Sequence, residues 1–300
     1  MLRDARSAAP QEEYSWRYVD SRHHDRLRSR WVDLIYLLDL PASALLAHRA
    51  FNNRLVRYVD VLRDELALVT GASGGIGGAI STALARHSAR LILMGRDDAK
   101  LLACAEGLRP FTSSVEACAC DLTKAEEIEE ACAHISDKYG QLDILIHCAG
   151  VIQHGNLVNA PLASMDLQYA ANVRGPLLLT QRLLPLLKKP GGQIVFINSS
   201  AGLNARPNAG QYSATKHAFK ALADALRDEV NAEGVRISSV FPGRTATALT
   251  RALHKKEGRD FAPELLLQPE DVASVVLSIL TLPWTAEVTN VSIRPMRKSY

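Results

Sequence analysis

The chain has 300 residues, 47% of them hydrophobic and 22% charged, with a formal net charge of +3, which is room for one large α/β domain, alone or with an appendage. So small a charge, with no block of like charges, does not suggest a nucleic-acid-binding protein, and no stretch approaches the ~18 uninterrupted apolar residues of a membrane span. The five cysteines, Cys104, Cys118, Cys120, Cys132 and Cys148, form neither a CxxC pair nor a His/Cys cluster of metal spacing, so no metal site is expected.

The first 63 residues read as a separate extension, rich in arginine and free of lysine. Leu46, Phe51, Leu55, Val59 and Leu62 recur at helical spacing, with His48, Arg49, Asn52, Arg54 and Arg57 mostly on the other face. A helix packed on the main domain, an oligomer contact, an interfacial membrane helix and a poorly ordered arm all fit this pattern. The early arginines are opposed by Asp4, Glu12, Glu13, Asp20 and Asp25, unlike a transit peptide, and no apolar core follows a positive start. With an odd, scattered set of thiols, this predicts a cytoplasmic protein.

From residue 64 to 300 the pattern changes to alternating apolar strands and helices. Strands are expected at 66–70, 90–95, 115–120, 142–148, 193–198, 235–241 and 287–293, and helices at 75–87, 97–107, 124–139 and 212–231. Cys118 and Cys120 point to one side of their strand and read as small core residues. Apolar strands alternating with helices predict a Rossmann-type α/β domain, a doubly wound parallel sheet covered on both faces. Its ligand should lie at the carboxyl ends of the strands. The segment 244–268 follows such an end and is expected to cover the site as a loop. Its Leu249, Leu253, Phe261 and Leu265 stand among Arg251, His254, Lys255, Lys256 and Arg259, which suits an apolar substrate with or without an acidic group.

The first strand runs into Thr70-Gly71-Ala72-Ser73-Gly74-Gly75-Ile76-Gly77-Gly78. Gly71 permits the tight turn, Gly75 lets the backbone approach a pyrophosphate, and Gly77 lets the helix pack on the sheet. The helix N-terminus then offers free N–H groups to the phosphates. With its Gly-x3-Gly-x-Gly spacing, and with further matches from about residue 64 to 295, the chain resembles the short-chain dehydrogenase/reductase family. Asp121-Leu122 matches the family's adenine-contacting pair. His147-Cys148-Ala149-Gly150 stands where the family has Asn-Asn-Ala-Gly, so only the backbone part of that contact is carried over. Asn172, Ser199, Tyr212 and Lys216 match the catalytic tetrad, and Pro242-Gly243 with Thr247 matches the motif at the nicotinamide end. The resemblance implies about seven parallel strands, a homodimer or homotetramer, and a dinucleotide held by Gly71, Ser73, Gly75, Ile76, Gly77, Arg96, Asp121, Leu122, His147, Tyr212, Lys216, Pro242, Gly243, Thr245 and Thr247.

The chemistry of these residues points the same way. Tyr212 and Lys216 are four apart and share a helix face. A phenol near pKa ~10 is a poor base at neutral pH, and a neighbouring ammonium is expected to lower it. A tyrosine so tuned protonates a developing alkoxide or deprotonates an alcohol. Ser199 is placed to hold the substrate oxygen, with Ser200 as the competing choice. Pro176 has no N–H, so the carbonyl of Asn172 loses its helical partner and is free to hold a water, as this asparagine does in the family; a plain helix kink fits too. His147, His154 and His217 read as structural or surface groups. Arg96 follows the second strand while Gly95 fills the place where a carboxylate would bind an unphosphorylated ribose, and Asp97 looks like a helix cap. NADP(H) is therefore expected over NAD(H), with a small-molecule carbonyl or alcohol as substrate. The rival reading is a non-catalytic dinucleotide sensor or scaffold on the same fold.

Overall fold

A computed structural model describes residues 62–187 and 191–297, all within a compact unit that begins at Arg57. The expected helix around 46–62 lies outside the described residues except for Leu62, which is buried in the core. Seven strands occur among the described residues: β1 (Leu66–Thr70), β2 (Arg90–Gly95), β3 (Val115–Ala119), β4 (Ile144–His147), β5 (Gln193–Ile197), β6 (Arg236–Pro242) and β7 (Asn290–Ile293). All pair in parallel, in the order β3-β2-β1-β4-β5-β6-β7. The connecting helices are α1 (Gly75–Arg86), α2 (Asp98–Leu108), α3 (Ala125–Tyr139), α4 (Leu162–Tyr169), α5 (Gly175–Leu187), α6 (Gly210–Val230), α7 (Ala248–Lys256) and α8 (Pro269–Leu280).

The strands are apolar throughout because both faces are covered. In β1, Ala67 and Val69 join one core, and Leu66 and Leu68 the other. The same alternation continues through Val195 and Ile197 against Ile194 and Phe196 in β5. Helices α1 and α8 pack together on the first face, α3 and α5 on the second. Local signals set the helix ends. Asp97 caps α2 by accepting from the Lys100 N–H at 3.1 Å, and Gln268 and Asp271 form a reciprocal capping box on α8, with Pro269 at its first position.

Two expectations are corrected. The 287–293 strand shortens to Asn290–Ile293, an edge strand pairing with β6. The segment 244–268 is not a plain loop: Thr247 caps α7 by accepting from the Thr250 N–H at 3.1 Å, and 263–265 forms a short 3-10 turn. The chain before Pro176 neither breaks nor continues as α-helix; Ala170–Arg174 winds as a π-helical turn, in which the Gly175 N–H reaches Ala170. Strand order reverses between β1 and β4, which opens a crevice at their carboxyl ends.

Candidate active site

Two cavities lie along that carboxyl edge. The larger, about 750 Å³, is lined by Thr70, Gly71, Ser73, Arg96, Asp121 and Leu122, together with residues 149–151 beyond β4. The turn leading into it depends on glycine. Gly71 has φ +68°, and a Cβ there would stand 2.9 Å from Ala149 Cα. A Cβ on Gly77 would lie 2.3 Å from the carbonyl oxygen of Gly71, so α1 sits against the turn as closely as backbone allows. Gly75 has φ +55°, and a Cβ there would approach Thr247 Cγ2 to 3.2 Å, so the turn and the start of α7 touch. No carboxylate occupies the first turn of α1 and no side chain caps it, so its N–H groups face the cavity's end of the helix uncompensated. Arg96 is exposed. Burial works to raise the Asp121 carboxyl, but hydrogen bonds from Thr123 and the positive charge of Arg96 leave it below its usual range.

The smaller cavity, about 210 Å³, is lined by Ile76, Ser199, Ser200, Tyr212, Pro242, Gly243, Thr245 and Thr247, with Ile152, Leu249 and Leu253 as apolar wall. Ser199 follows β5, and its Oγ accepts from the Ala201 N–H at 3.1 Å, which leaves its own hydrogen available. It shares the cavity wall with Tyr212 and works to lower the Tyr212 phenol, while Ser200, in the same wall, is exposed. Lys216, one turn further along α6, is buried and donates from Nζ to the Ile197 carbonyl at 3.2 Å, with its charge 4.7 Å over the Phe219 ring. Asn172 does not line either cavity. Its amide grips Val151 in both directions, accepting from N at 2.8 Å and donating to O at 2.9 Å. It also donates to Thr215 Oγ1 at 3.1 Å, which in turn donates to the Tyr212 carbonyl at 2.8 Å.

The electrostatics correct one expectation. Burial pushes the Tyr212 phenol up to about 12, and the hydrogen bond with Ser199 only partly offsets this. The protein by itself does not acidify the tyrosine: desolvation outweighs the contribution of Ser199, and Lys216 turns its charge to a carbonyl and a ring. Burial likewise brings Lys216 down to about 8.

His147 turns its side chain into the core, not toward a cavity. Thr180 gives its hydroxyl hydrogen to the Pro176 carbonyl and so accepts from His147 Nε2 at 2.7 Å. The ring packs on Phe196 and Phe219, and burial, with Lys216 nearby, drives it down to about 3. His154, read from the sequence as structural or surface, lines the smaller cavity and bonds Glu257 Oε1 at 2.8 Å. Three further positions carry the site without having drawn notice. Thr70 Oγ1 accepts from the N–H groups of Cys148 and Ala149 at 3.0 Å each, locking the crevice. Asn198 joins the end of β5 to the Lys216 carbonyl at 3.1 Å. Arg206 lines the smaller cavity. A polar residue at a strand's carboxyl end was the available signal for Thr70 and Asn198; Arg206 had none.

The sequence profile of the short-chain dehydrogenases matches residues 65–258. An uncharacterised oxidoreductase of Staphylococcus aureus is 33% identical over 79% of this chain and 100% of its own length. Among solved structures, a short chain dehydrogenase of Shigella flexneri complexed with NADP is 30% identical, with a TM-score of 0.72 over 78% of this chain and 98% of that one. An alcohol dehydrogenase of Thermococcus sibiricus complexed with 5-hydroxy-NADP is 27% identical, with a TM-score of 0.71 over 79% and 100%.

Proposed function

The chain belongs to the short-chain dehydrogenase family and is an NAD(P)-dependent oxidoreductase; on that premise we propose that it moves a hydride between NADP(H) and a carbonyl or secondary alcohol, using Asn172, Ser199, Tyr212 and Lys216. The observation that carries this reading is that Ser199 and Tyr212 meet in the wall of one cavity, with buried Lys216 one helical turn behind the tyrosine.

The residues present fit a dinucleotide: glycines at 71 and 77 let the turn close on Ala149 and on α1 beside the larger cavity, and the uncapped start of α1 suits phosphate. In this reading Gly71, Ser73, Gly75, Ile76 and Gly77 hold the pyrophosphate. Asp121 and Leu122 hold the adenine, the backbone at His147 supports it, and Arg96 pairs with a 2′-phosphate. Pro242, Gly243, Thr245 and Thr247 hold the nicotinamide end, with Tyr212 and Lys216 at its ribose. When bound, the dinucleotide supplies or accepts the hydride. Ser199 donates a hydrogen bond to the substrate oxygen and holds it against Tyr212. The Tyr212 hydroxyl, kept protonated at neutral pH by burial, gives its proton to that oxygen as negative charge develops, and takes it back in the reverse direction. Asn172 holds the Val151 turn and, through Thr215, the first turn of α6.

The same reading assigns catalysis to residues 64–300, none to 1–63, and a homodimeric or homotetrameric, cytoplasmic enzyme. Among the described residues no helix is long and apolar enough to cross a membrane. The test is cofactor consumption over a panel of ketones and aldehydes, with kcat/KM measured for NADPH and NADH. Turnover with NADPH favoured is expected. Tight binding without turnover turns the reading toward a sensor, and a preference for NADH removes the role given to Arg96.

A further inference from the structure

The smaller cavity holds more polar groups than the chemistry above employs. Ser199 and Tyr212 serve the reacting oxygen. His154, which follows β4, stands in the same wall beside Ile152, Leu249 and Leu253. Its ring is partly buried, with Nδ1 2.8 Å from Glu257 Oε1. Glu257 ends α7 and lines neither cavity, so it stands behind the wall. Burial works to raise the Glu257 carboxyl, yet the bond with His154 and the charge of Arg244 keep it below its usual range. An ionised carboxylate only accepts, so Nδ1 carries the hydrogen whatever the charge of the ring. That leaves Nε2, on the edge turned away from the carboxylate. The bonds of His154 run through Nδ1 and through its backbone carbonyl, which accepts from Lys256 Nζ at 3.2 Å; among the described residues nothing bonds Nε2. Ser213, a buried residue of the same wall, likewise has a hydroxyl with no partner among the described residues. Polar atoms at such depth are rarely left unpaired once a ligand or water is in place.

The chemistry of Nε2 narrows what can pair with it. A carbonyl oxygen suits only a protonated ring, and an ammonium only a neutral one. A hydroxyl suits both, because it donates to the bare nitrogen of the neutral ring and accepts from the N–H of the charged one. Building on the oxidoreductase reading, we propose that the substrate carries a hydroxyl besides its reacting oxygen, as a hydroxyketone or the corresponding diol, and that His154 Nε2 binds that hydroxyl while Ser199 and Tyr212 hold the reacting oxygen. Glu257 is the positioning residue. It fixes the ring through Oε1, and Arg244 holds its Oε2 at 3.2 Å. Ile152, Leu249 and Leu253 take the apolar remainder of the skeleton.

The test compares ketones matched in shape, with NADPH: phenacyl alcohol against propiophenone, and diacetone alcohol against methyl neopentyl ketone. Each pair puts a hydroxyl in place of a methyl, next to the carbonyl in the first and one carbon further in the second. The hydroxyketone of at least one pair should exceed its partner in kcat/KM by about tenfold. Electronic activation by the hydroxyl is common to wild type and variants, so the variants decide. His154→Asn keeps an amide N–H where Nδ1 meets Glu257 and removes Nε2. It should narrow the ratio by about tenfold, through KM for the hydroxyketone. His154→Gln sets an amide near the place of Nε2 and gives up the bond to Glu257, and it should retain more of the ratio. A merely structural tie between α7 and the segment after β4 predicts the reverse, with Asn spared and Gln losing both members of a pair equally. That result overturns the proposal, and so does a ratio unmoved by His154→Asn in both pairs. If none of these ketones turns over, the oxidoreductase reading fails on its own. His154 is then decided by nitrogen NMR of the histidine rings in the wild-type protein, following the signal that His154→Asn lacks. A shift of Nε2 with phenacyl alcohol or diacetone alcohol, and not with its methyl partner, supports the proposal; no shift overturns it.

Discussion

The two cavities at the carboxyl edge of the sheet are built in different ways. The larger is made from short stretches at the strand ends, some with local polar contacts, as where Asp121 accepts from the Thr123 N–H and Asp97 from the Lys100 N–H, with Thr70 reaching across to Cys148 and Ala149. The smaller draws on residues far apart in the chain, with His154 of its wall bonded to Glu257 and Asn198 to the Lys216 carbonyl. Local loops can grip a ligand through backbone N–H groups, which need only glycine and a helix end. Proton chemistry needs side chains with shifted affinities for protons, and here that shift comes from burial by several elements at once.

If this division holds, the largest effects on turnover lie in the second cavity. Tyr212→Phe removes one hydroxyl, and turnover should fall by roughly 10²–10⁴ while NADPH affinity, read by fluorescence titration, changes little. Near wild-type turnover in that variant would remove Tyr212 from the chemistry and collapse the contrast. In the first cavity backbone fit should dominate. Gly77→Ala drives a Cβ into the Gly71 carbonyl and should cost about 1–3 kcal/mol or more in urea unfolding. Gly74→Ala meets nothing within 4 Å and should stay within about 0.5 kcal/mol. Equal costs at the two glycines would show that the turn is not the rigid cradle described.

A smaller effect is expected at Arg96, where charge and not shape is at stake. Arg96→Ser should reduce the NADPH-over-NADH preference in kcat/KM by about tenfold; an unchanged ratio would mean that the exposed guanidinium does not read the 2′-phosphate. The last effect is on stability and is confined to acid pH. His147 falls from its ordinary 6.5 to about 3 in the fold. Between those values the unfolded chain binds a proton that the native one refuses, so His147 costs stability as pH falls from about 6.5 toward 3. The slope is at most about 1.4 kcal/mol per pH unit. Comparing the acid limb of urea unfolding in wild type and His147→Asn isolates this contribution, and identical slopes would place the ring in water.

Much of the fold was legible from the chain alone, because its signals are local. Both faces of each central strand are covered, so β1, β2, β4 and β5 read as unbroken apolar runs. The turn at Gly71 and the cap at Asp97 need only neighbouring residues. The spacing of Tyr212 and Lys216 on α6 likewise follows from helix geometry. The tertiary structure decided what depends on distance through space. It turned the segment after β6 into α7, wound the chain before Pro176 into a π turn, and directed His147 into the core. It also set the proton affinities: the sequence puts a lysine beside a tyrosine and suggests an acidified phenol, while burial of both moves the phenol up and the lysine down. Desolvation is the sum of all atoms packed around a group, contributed by segments that sequence spacing does not connect.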